Sequence, residues 1–265
     1  LVRDYGTYAR ADIPGLIAAN GYSVKVVPVT GGNEVESAAS EATGINVANY
    51  SREGFAHLNY QGIGAYNDNG TLKDNAKVLY ITSKTAKTIT TKVMVGSKLT
   101  EVTGLQSIID AYQKGTDTTP LAIRIIGKIS KDDLDHISSS SEGLQVKGRN
   151  AYSEMNITIE GIGDDATISG FGMLVRNCKS VEIRNLAIML CLDDCISLDT
   201  NNSNIWIHNM DFFYGNTGGD ADQAKGDGTA DLKAGTKYVT FSYNRFWDSG
   251  KSSLCGMKSE SGPNY

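Results

Sequence analysis

The residue types best suited to chemistry gather near the C-terminal end of this 265-residue chain. In Lys225-Gly226-Asp227-Gly228-Thr229-Ala230-Asp231-Leu232-Lys233 two carboxylates stand four residues apart, with a lysine two residues beyond the second. Lys251 opens what reads as the equivalent strand of a following repeat, and Asp193-Asp194 lies one repeat earlier. Carboxylates are the oxygen ligands that a hard cation prefers, and lysines beside them attract anionic groups. The set could hold a hard cation against an acidic polymer. Asp and Gly also mark turns, and Asp227 alone reads as turn chemistry. Asp231, Lys233, Lys251 and the repeat register together favour the site.

These residues need elements that bring distant segments side by side, and the chain repeats itself. Asn156-Ile157-Thr158-Ile159-Glu160, Ser180-Val181-Glu182-Ile183-Arg184, Asn204-Ile205-Trp206-Ile207-His208 and Tyr238-Val239-Thr240-Phe241-Ser242 share one alternating pattern. Their apolar positions Ile157, Val181, Ile205 and Val239 are 24, 24 and 34 residues apart. A short strand cannot bury its apolar face alone, but recurrence at this period lets each coil stack on the last. Alternation puts Ile205 and Ile207 inside and Trp206 and His208 outside. Trp206 is expected to pack under the Gly/Asp-rich insertion Tyr214 to Gly226, which accounts for the longer third interval. A second strand follows in each repeat, at Cys195 to Leu198, Thr229 to Leu232 and Ser252 to Cys255. Hairpin turns do not separate these strands, which argues against a sandwich.

Ahead of the repeats, Leu105, Ile108, Ile109 and Tyr112 define one face of a helix. Thr103 and Gln106 fit a capping box, and Gly115 is placed to end the helix. Such a helix could cap the open end of a solenoid. Pro120 to Gly127 reads as a buried strand, Lys77 to Ile81 as another, and Ser138 to Ser141 as a loop. The expected fold is all-β, a right-handed parallel β-helix (solenoid) with an N-terminal capping helix. Residues 1–100 form an extension within the same domain, and 101–265 form the β-helix.

Composition excludes several classes. Glycine is abundant (29) and proline scarce (4), which suits short strands and tight turns. A net charge of −5 argues against nucleic-acid binding, which needs a basic face. No apolar run is long enough to span a bilayer. Cys178, Cys191, Cys195 and Cys255 lack paired zinc spacing. Cys191 and Cys195 are close enough to bridge, but four cysteines allow three pairings and the spacing chooses none, and buried free thiols are the equal alternative. Asp220-Ala221-Asp222 resembles the start of an EF-hand loop but departs from it at Ala224 and Gly226 and has no closing glutamate; a separate cation at Asp220 and Asp222 is a minor alternative. His57, His136 and His208 are scattered and read as hydrogen-bonding residues.

With these segments in view, the sequence resembles the family 1 polysaccharide lyases, specifically the pectate lyases. The resemblance rests on Asn204-Ile205-Trp206-Ile207, on Asp227 through Lys233, on Val239 through Asn244 and on Lys251 through Gly256. It covers roughly residues 60 to 265 and is most specific after Asp193. It implies calcium-dependent, endo-type β-elimination of polygalacturonate to unsaturated oligogalacturonides, secretion, and a monomer. Asp194, Asp227 and Asp231 match calcium ligands, with Asp193 assisting. Lys233 and Lys251 match lysines that contact substrate carboxylates. The family's base is an arginine on the coil after the Lys251 strand. None of Arg149, Arg176, Arg184 or Arg245 has that context, so the arginine is expected beyond Tyr265. His208-Asn209 stands where the family commonly has Asp-His. Asp193-Asp194-Cys195 also resembles the Asp-Asp-Cys motif of polygalacturonases, a hydrolase alternative that Asp227, Asp231 and Lys251 disfavour. A pectin lyase would have no use for the carboxylates. A β-helix that binds polygalacturonate without cleaving it is the non-enzymatic alternative.

Overall fold

The computed structural model describes residues 2–137, 142–216 and 224–256. The readings at Ser138 to Ser141 and at Asp220 and Asp222 lie outside the described residues.

Alternation builds the architecture. Ile157, Val181, Ile205 and Val239 stand abreast in the parallel strands Ser153–Ser169, Cys178–Arg184, Ser203–His208 and Lys237–Ser242. Ile159, Ile183, Ile207 and Phe241 form a second inward column in the same sheet. Leu121–Ser130 and then Lys77–Ile81 extend that sheet at its N-terminal side, also in parallel. A second sheet stacks Gly143–Lys147, Gly172–Arg176, Ile196–Thr200, Gly228–Leu232 and Lys251–Cys255. The chain is thus the parallel β-helix that its periodicity implies, with one contiguous apolar core along the axis.

A third ladder is absent from the sequence reading. Ala187–Met189, Asp211–Phe213 and Arg245–Trp247 follow on from the C-terminal part of the long strand Ser153–Ser169. Three-residue strands are too short to display alternation, which is why the pattern hides them. The bends of each coil, within the first sheet's strands and at the corners beside them, have their own signal. Asn156, Ser180, Asn204 and Tyr238, the first residue of each repeat, all adopt positive φ near 50–65°. Asn177 and Asn201, and likewise Asn185 and Asn209, do the same at other corners. Asparagine tolerates this left-handed conformation better than other non-glycine residues, so the recurring asparagines turn the chain at each coil.

The helix Leu105–Gln113 (α1) buries Leu105, Ile108, Ile109 and Tyr112 in the same core. Gly115, at φ +73°, ends it as expected. The capping box does not form: Gly104 is the N-cap, with no capping side chain of its own. Asp135 takes that role from a distant loop, accepting bonds from the N–H groups of Gln106 (2.8 Å) and Ser107 (3.0 Å). Gln106 is thereby free for another task. Its Nε2 donates to the Gln145 carbonyl (3.0 Å) and its Oε1 accepts from the Gln145 N–H (2.9 Å). The side chain does for the first strand of the second sheet what a neighbouring strand would do, closing an exposed edge.

The outward face of the first sheet is covered by the N-terminal part of the chain. Trp206, only 1% exposed, is buried against Ala56 and Ile63 and lies under the Arg52 guanidinium. The expected cover, the insertion Tyr214 to Gly226, lies largely outside the described residues. Beneath this flap lies a layer of paired charge: Glu160 with Arg124 and Arg184, and Glu182 with Arg52, Arg184 and His208. Burial by itself would raise the Glu182 carboxyl, but Arg184, His208 and Arg52 outweigh it and hold the group far below its usual range. His208, read as facing outward, is buried here, bonded to Glu182 and to the Tyr50 hydroxyl. His136 bridges Asp110 and Asp135, while His57 sits edge-on to the Trp206 ring.

Candidate functional site

The acids of interest sit where the third ladder turns into the second sheet. Asp193 and Asp194 occupy the turn between Ala187–Met189 and Ile196–Thr200, and Asp227 immediately precedes Gly228–Leu232. Ile196 pairs with Ala230 and Ser197 with Asp231. Carried back along the chain, this register places Asp227 one coil above Asp193, and Gly228 above Asp194. Thirty-four residues of sequence therefore become one strand spacing of about 4.8 Å.

The result is a cluster. One carboxylate oxygen from each of Asp193, Asp194 and Asp227 lies within 4.8 Å of the others. Asp194 is 1% exposed and Asp231 4%. Gly228 makes the approach of the last two acids feasible. A Cβ there would stand 2.4 Å from Asp231 Oδ1 and 2.6 Å from Asp194 Oδ1. Gly172, one coil below Asp194, is equally crowded: its Cβ would meet the Asp194 carbonyl oxygen at 2.0 Å. Gly172 admits no Cβ unless backbone moves, and Gly228 admits one only if both carboxylates retreat.

Both lysines point into the cluster. Lys233 Nζ lies 2.7 Å from Asp194 Oδ2, 3.6 Å from Asp231 Oδ2 and 3.3 Å from Ser197 Oγ. Lys251 pairs with Asp227. The residues matched to substrate-contacting lysines are thus held by the acids matched to metal ligands. Glu142, absent from the sequence reading, joins the same field from two coils below. Gly143 pairs with Gly172 and Met173 with Ile196, which puts Glu142 in the column of Asp194. Counting back along the register would have found it.

The charge balance shows in the acidities. Burial, then Asp194, Glu142 and Asp227, push the Asp193 carboxyl up to about 7. Burial and Asp194 push Asp231 up to about 6 despite the neighbouring Lys233 and a bond from the Leu254 N–H. Glu142 is raised by burial and Asp194, although its own N–H opposes the shift. Lys233 rises because Asp194 and Asp231 outweigh its burial. Glu142, Asp193, Asp194, Asp227 and Asp231 together hold more negative charge than two lysines can balance, and a multivalent cation would relieve the excess. The donors are all carboxylate oxygens, which suits calcium or magnesium rather than zinc or copper.

The arginines considered from the sequence are engaged elsewhere. Arg149 reaches the Lys114 carbonyl, Arg176 pairs with Asp199, Arg184 with Glu160 and Glu182, and Arg245 with Asp211.

Comparison with known proteins finds a matching family and a shared fold. The sequence model of a family described as pectate lyase matches residues 15–265. The chain is 29% identical over 164 residues to a pectate trisaccharide-lyase of Bacillus licheniformis, covering 61% of this chain and 44% of that protein. It is 26% identical over 192 residues to pectate lyase E of Dickeya chrysanthemi, covering 63% and 49%. Among solved structures it resembles a pectate lyase from Bacillus sp. N165 in complex with trigalacturonate, with a TM-score of 0.51, 21% identity, and coverage of 78% and 56%. A thermostable pectate lyase matches with a TM-score of 0.52 at 18% identity, covering 78% and 60%. These structural likenesses concern the fold. The chain spans a little under half the length of the two sequence relatives.

Proposed function

The chain belongs to the pectate lyase family, and from that premise we propose that its acidic corner holds a calcium ion and takes part in β-elimination of polygalacturonate. The observation that carries this reading is the convergence of Asp193, Asp194 and Asp227 within 4.8 Å, beside Asp231. Asp194, Asp227 and Asp231 are assigned as ligands, with Asp193 completing the set. A handful of carboxylates leaves room in calcium's coordination for water and uronate oxygens. When bound, the ion supplies positive charge that acidifies the proton next to a coordinated uronate carboxylate.

The chain's own residues do the rest of the positioning. With the aspartates turned toward the ion, Lys233 and Lys251 exchange these partners for uronate carboxylates of the polymer. Ser197, beside Lys233, helps aim that ammonium. The crowded Gly228 keeps the acids of adjacent coils at a common point. An extracellular setting suits a carboxylate calcium site of this kind, because such sites bind at the calcium levels found there.

Two measurements test the reading. Calorimetric titration of chelator-stripped protein with Ca2+ should show binding that Asp231→Asn weakens at least tenfold. Incubation of the full-length protein with polygalacturonate should yield an ultraviolet-absorbing unsaturated product, with product lengths reporting whether cleavage is internal. New reducing ends without that absorbance would instead establish hydrolysis at Asp193-Asp194. Ca2+-dependent polymer binding without any product would establish a binding protein.

A further inference from the structure

Asp193 and Asp194 are bracketed by thiols, in the order Cys191-Leu192-Asp193-Asp194-Cys195. None of the four cysteines is bridged in this structure. Cys191 and Cys195 are nevertheless both buried, and their Sγ atoms lie 2.7 Å apart. The other two have no such neighbour among the described residues. Cys178 turns its thiol to the carbonyls of Val146 (3.3 Å) and Arg176 (3.1 Å), and Cys255 stands exposed on the strand Lys251–Cys255. Among the described residues the fold thus holds one pair of cysteines side by side and leaves the other two apart.

The backbone hydrogen bonds of the corner between the two thiols gather at its two ends, while Asp194 within it is held through its side chain by Lys233. Leu190, just before it, takes φ +55°, a conformation unfavourable for a side chain with a Cβ. Leu190 N–H donates to the Tyr214 carbonyl (3.0 Å), and Asn216 N–H donates to the Cys191 carbonyl (2.7 Å). At the far end Cys195 N–H reaches the Gly228 carbonyl at 3.3 Å. Asp193 and Asp194 therefore sit on a short arc tied at its two ends.

We infer that Cys191 and Cys195 form a disulfide that closes this arc and fixes the backbone carrying Asp193 and Asp194. The bond forms by thiol–disulfide exchange with a small-molecule or protein disulfide. One thiolate attacks that disulfide and releases a thiol. The second cysteine then attacks the mixed disulfide and releases another. The pair gives up two electrons and two protons, and the oxidant leaves as two thiols. Because both sulfurs are buried in the folded protein, exchange takes place as the chain folds, and the finished bond is shielded from reductants. The bond itself is independent of the calcium reading. Its consequence for metal affinity rests on that reading.

The test is thiol mapping of the whole protein, folded under a glutathione disulfide buffer, alkylated in denaturant without reductant and digested. The expected result is alkylation at Cys178 and Cys255 alone, with one peptide carrying residues 191 and 195 two hydrogens lighter than its reduced form. Alkylation at all four cysteines, or a bond involving Cys178 or Cys255, overturns the inference. Ca2+ titration of the oxidised protein, the dithiothreitol-reduced protein and the doubly substituted C191S/C195S protein then tests the consequence. At least threefold tighter binding by the oxidised form supports it. Equal affinity in the oxidised and reduced forms overturns the positioning role, while absence of Ca2+ binding in every form overturns the metal assignment although the mapped bond stands.

Discussion

Gly228→Ala tests the site with one methyl group. The added Cβ would lie 2.4 Å from Asp231 Oδ1 and 2.6 Å from Asp194 Oδ1, where ordinary contact begins at 3.4 Å. Each oxygen must therefore retreat by about 1 Å, a large displacement against calcium–oxygen distances of about 2.3–2.6 Å. Moving one carboxylate oxygen from about 2.4 to about 3.4 Å from a divalent ion forfeits about 4 kcal/mol at an effective dielectric of about 20, and about 1 kcal/mol in bulk water. Both acids are buried, but a water can take the vacated place in calcium's coordination and offset most of the loss, so the lower figure is the least that each acid costs. Two displaced acids then weaken calcium binding by at least about 2 kcal/mol, or about thirtyfold in Kd. The strain on the metal-free fold is that of modest overpacking, about 1–3 kcal/mol. The assay is calorimetric Ca2+ titration of chelator-stripped wild type and variant, with circular dichroism to confirm that both are folded. Asp199→Asn, which removes an acid paired with Arg176 outside the cluster, serves as the control and should leave Kd unchanged. A folded Gly228→Ala protein that binds Ca2+ within twofold of wild type would falsify the claim that this glycine brings the ligands together.

Further predictions concern acidity, the buried charge layer and the helix cap. Asp193 and Asp231 titrate near 7 and 6 in the folded protein against about 4 in an unfolded chain. Between those values the native state binds more protons than the unfolded state, so stability of the metal-free protein falls as pH rises from about 4 to about 7. The melting temperature in chelator should be higher at pH 5 than at pH 7.5, and saturating Ca2+ should remove or reverse the difference; a melting temperature that rises with pH in chelator contradicts the assignment. Glu182→Ala strands Arg52, Arg184 and His208 beneath the N-terminal flap, and should cost about 3–5 kcal/mol in chemical denaturation. A loss below 1 kcal/mol would mean the layer is not a buried ion network. Gln106→Leu removes both bonds to Gln145 and leaves those groups unpaired, a loss of about 1–3 kcal/mol in the same assay; an unchanged midpoint would show that the strand edge needs no such cover.

Much of the coil architecture is legible in the sequence because alternation and period are local properties. Ile157, Val181, Ile205 and Val239 announce which residues face inward, and stacking follows from the fact that no single coil can bury them. Asp227, Asp231 and Lys233 are legible for the same reason, since all three lie on one short segment. The helix face of Leu105, Ile108, Ile109 and Tyr112 reads correctly too, as does its ending at Gly115. Its N-terminal cap does not, because Asp135 arrives from a loop some thirty residues away.

Only the tertiary structure decides what lies over an outward-facing residue or beside it in the next coil. Periodicity says that Trp206 leaves the core, but it cannot say that residues before position 64 fold back to bury it. It cannot show that Lys233 and Lys251 rest on the acids rather than reach into solvent, or that Cys191 meets Cys195 and no other cysteine. The physical reason is the stacking itself. Parallel coils turn a sequence separation of 34 residues into neighbouring strands, so Asp193 and Asp227 converge at a distance that their positions along the chain do not express. The sequence by itself determined the repeat and most of the acids carried on it; the register between coils decided that Asp193, Asp194 and Asp227 share one point.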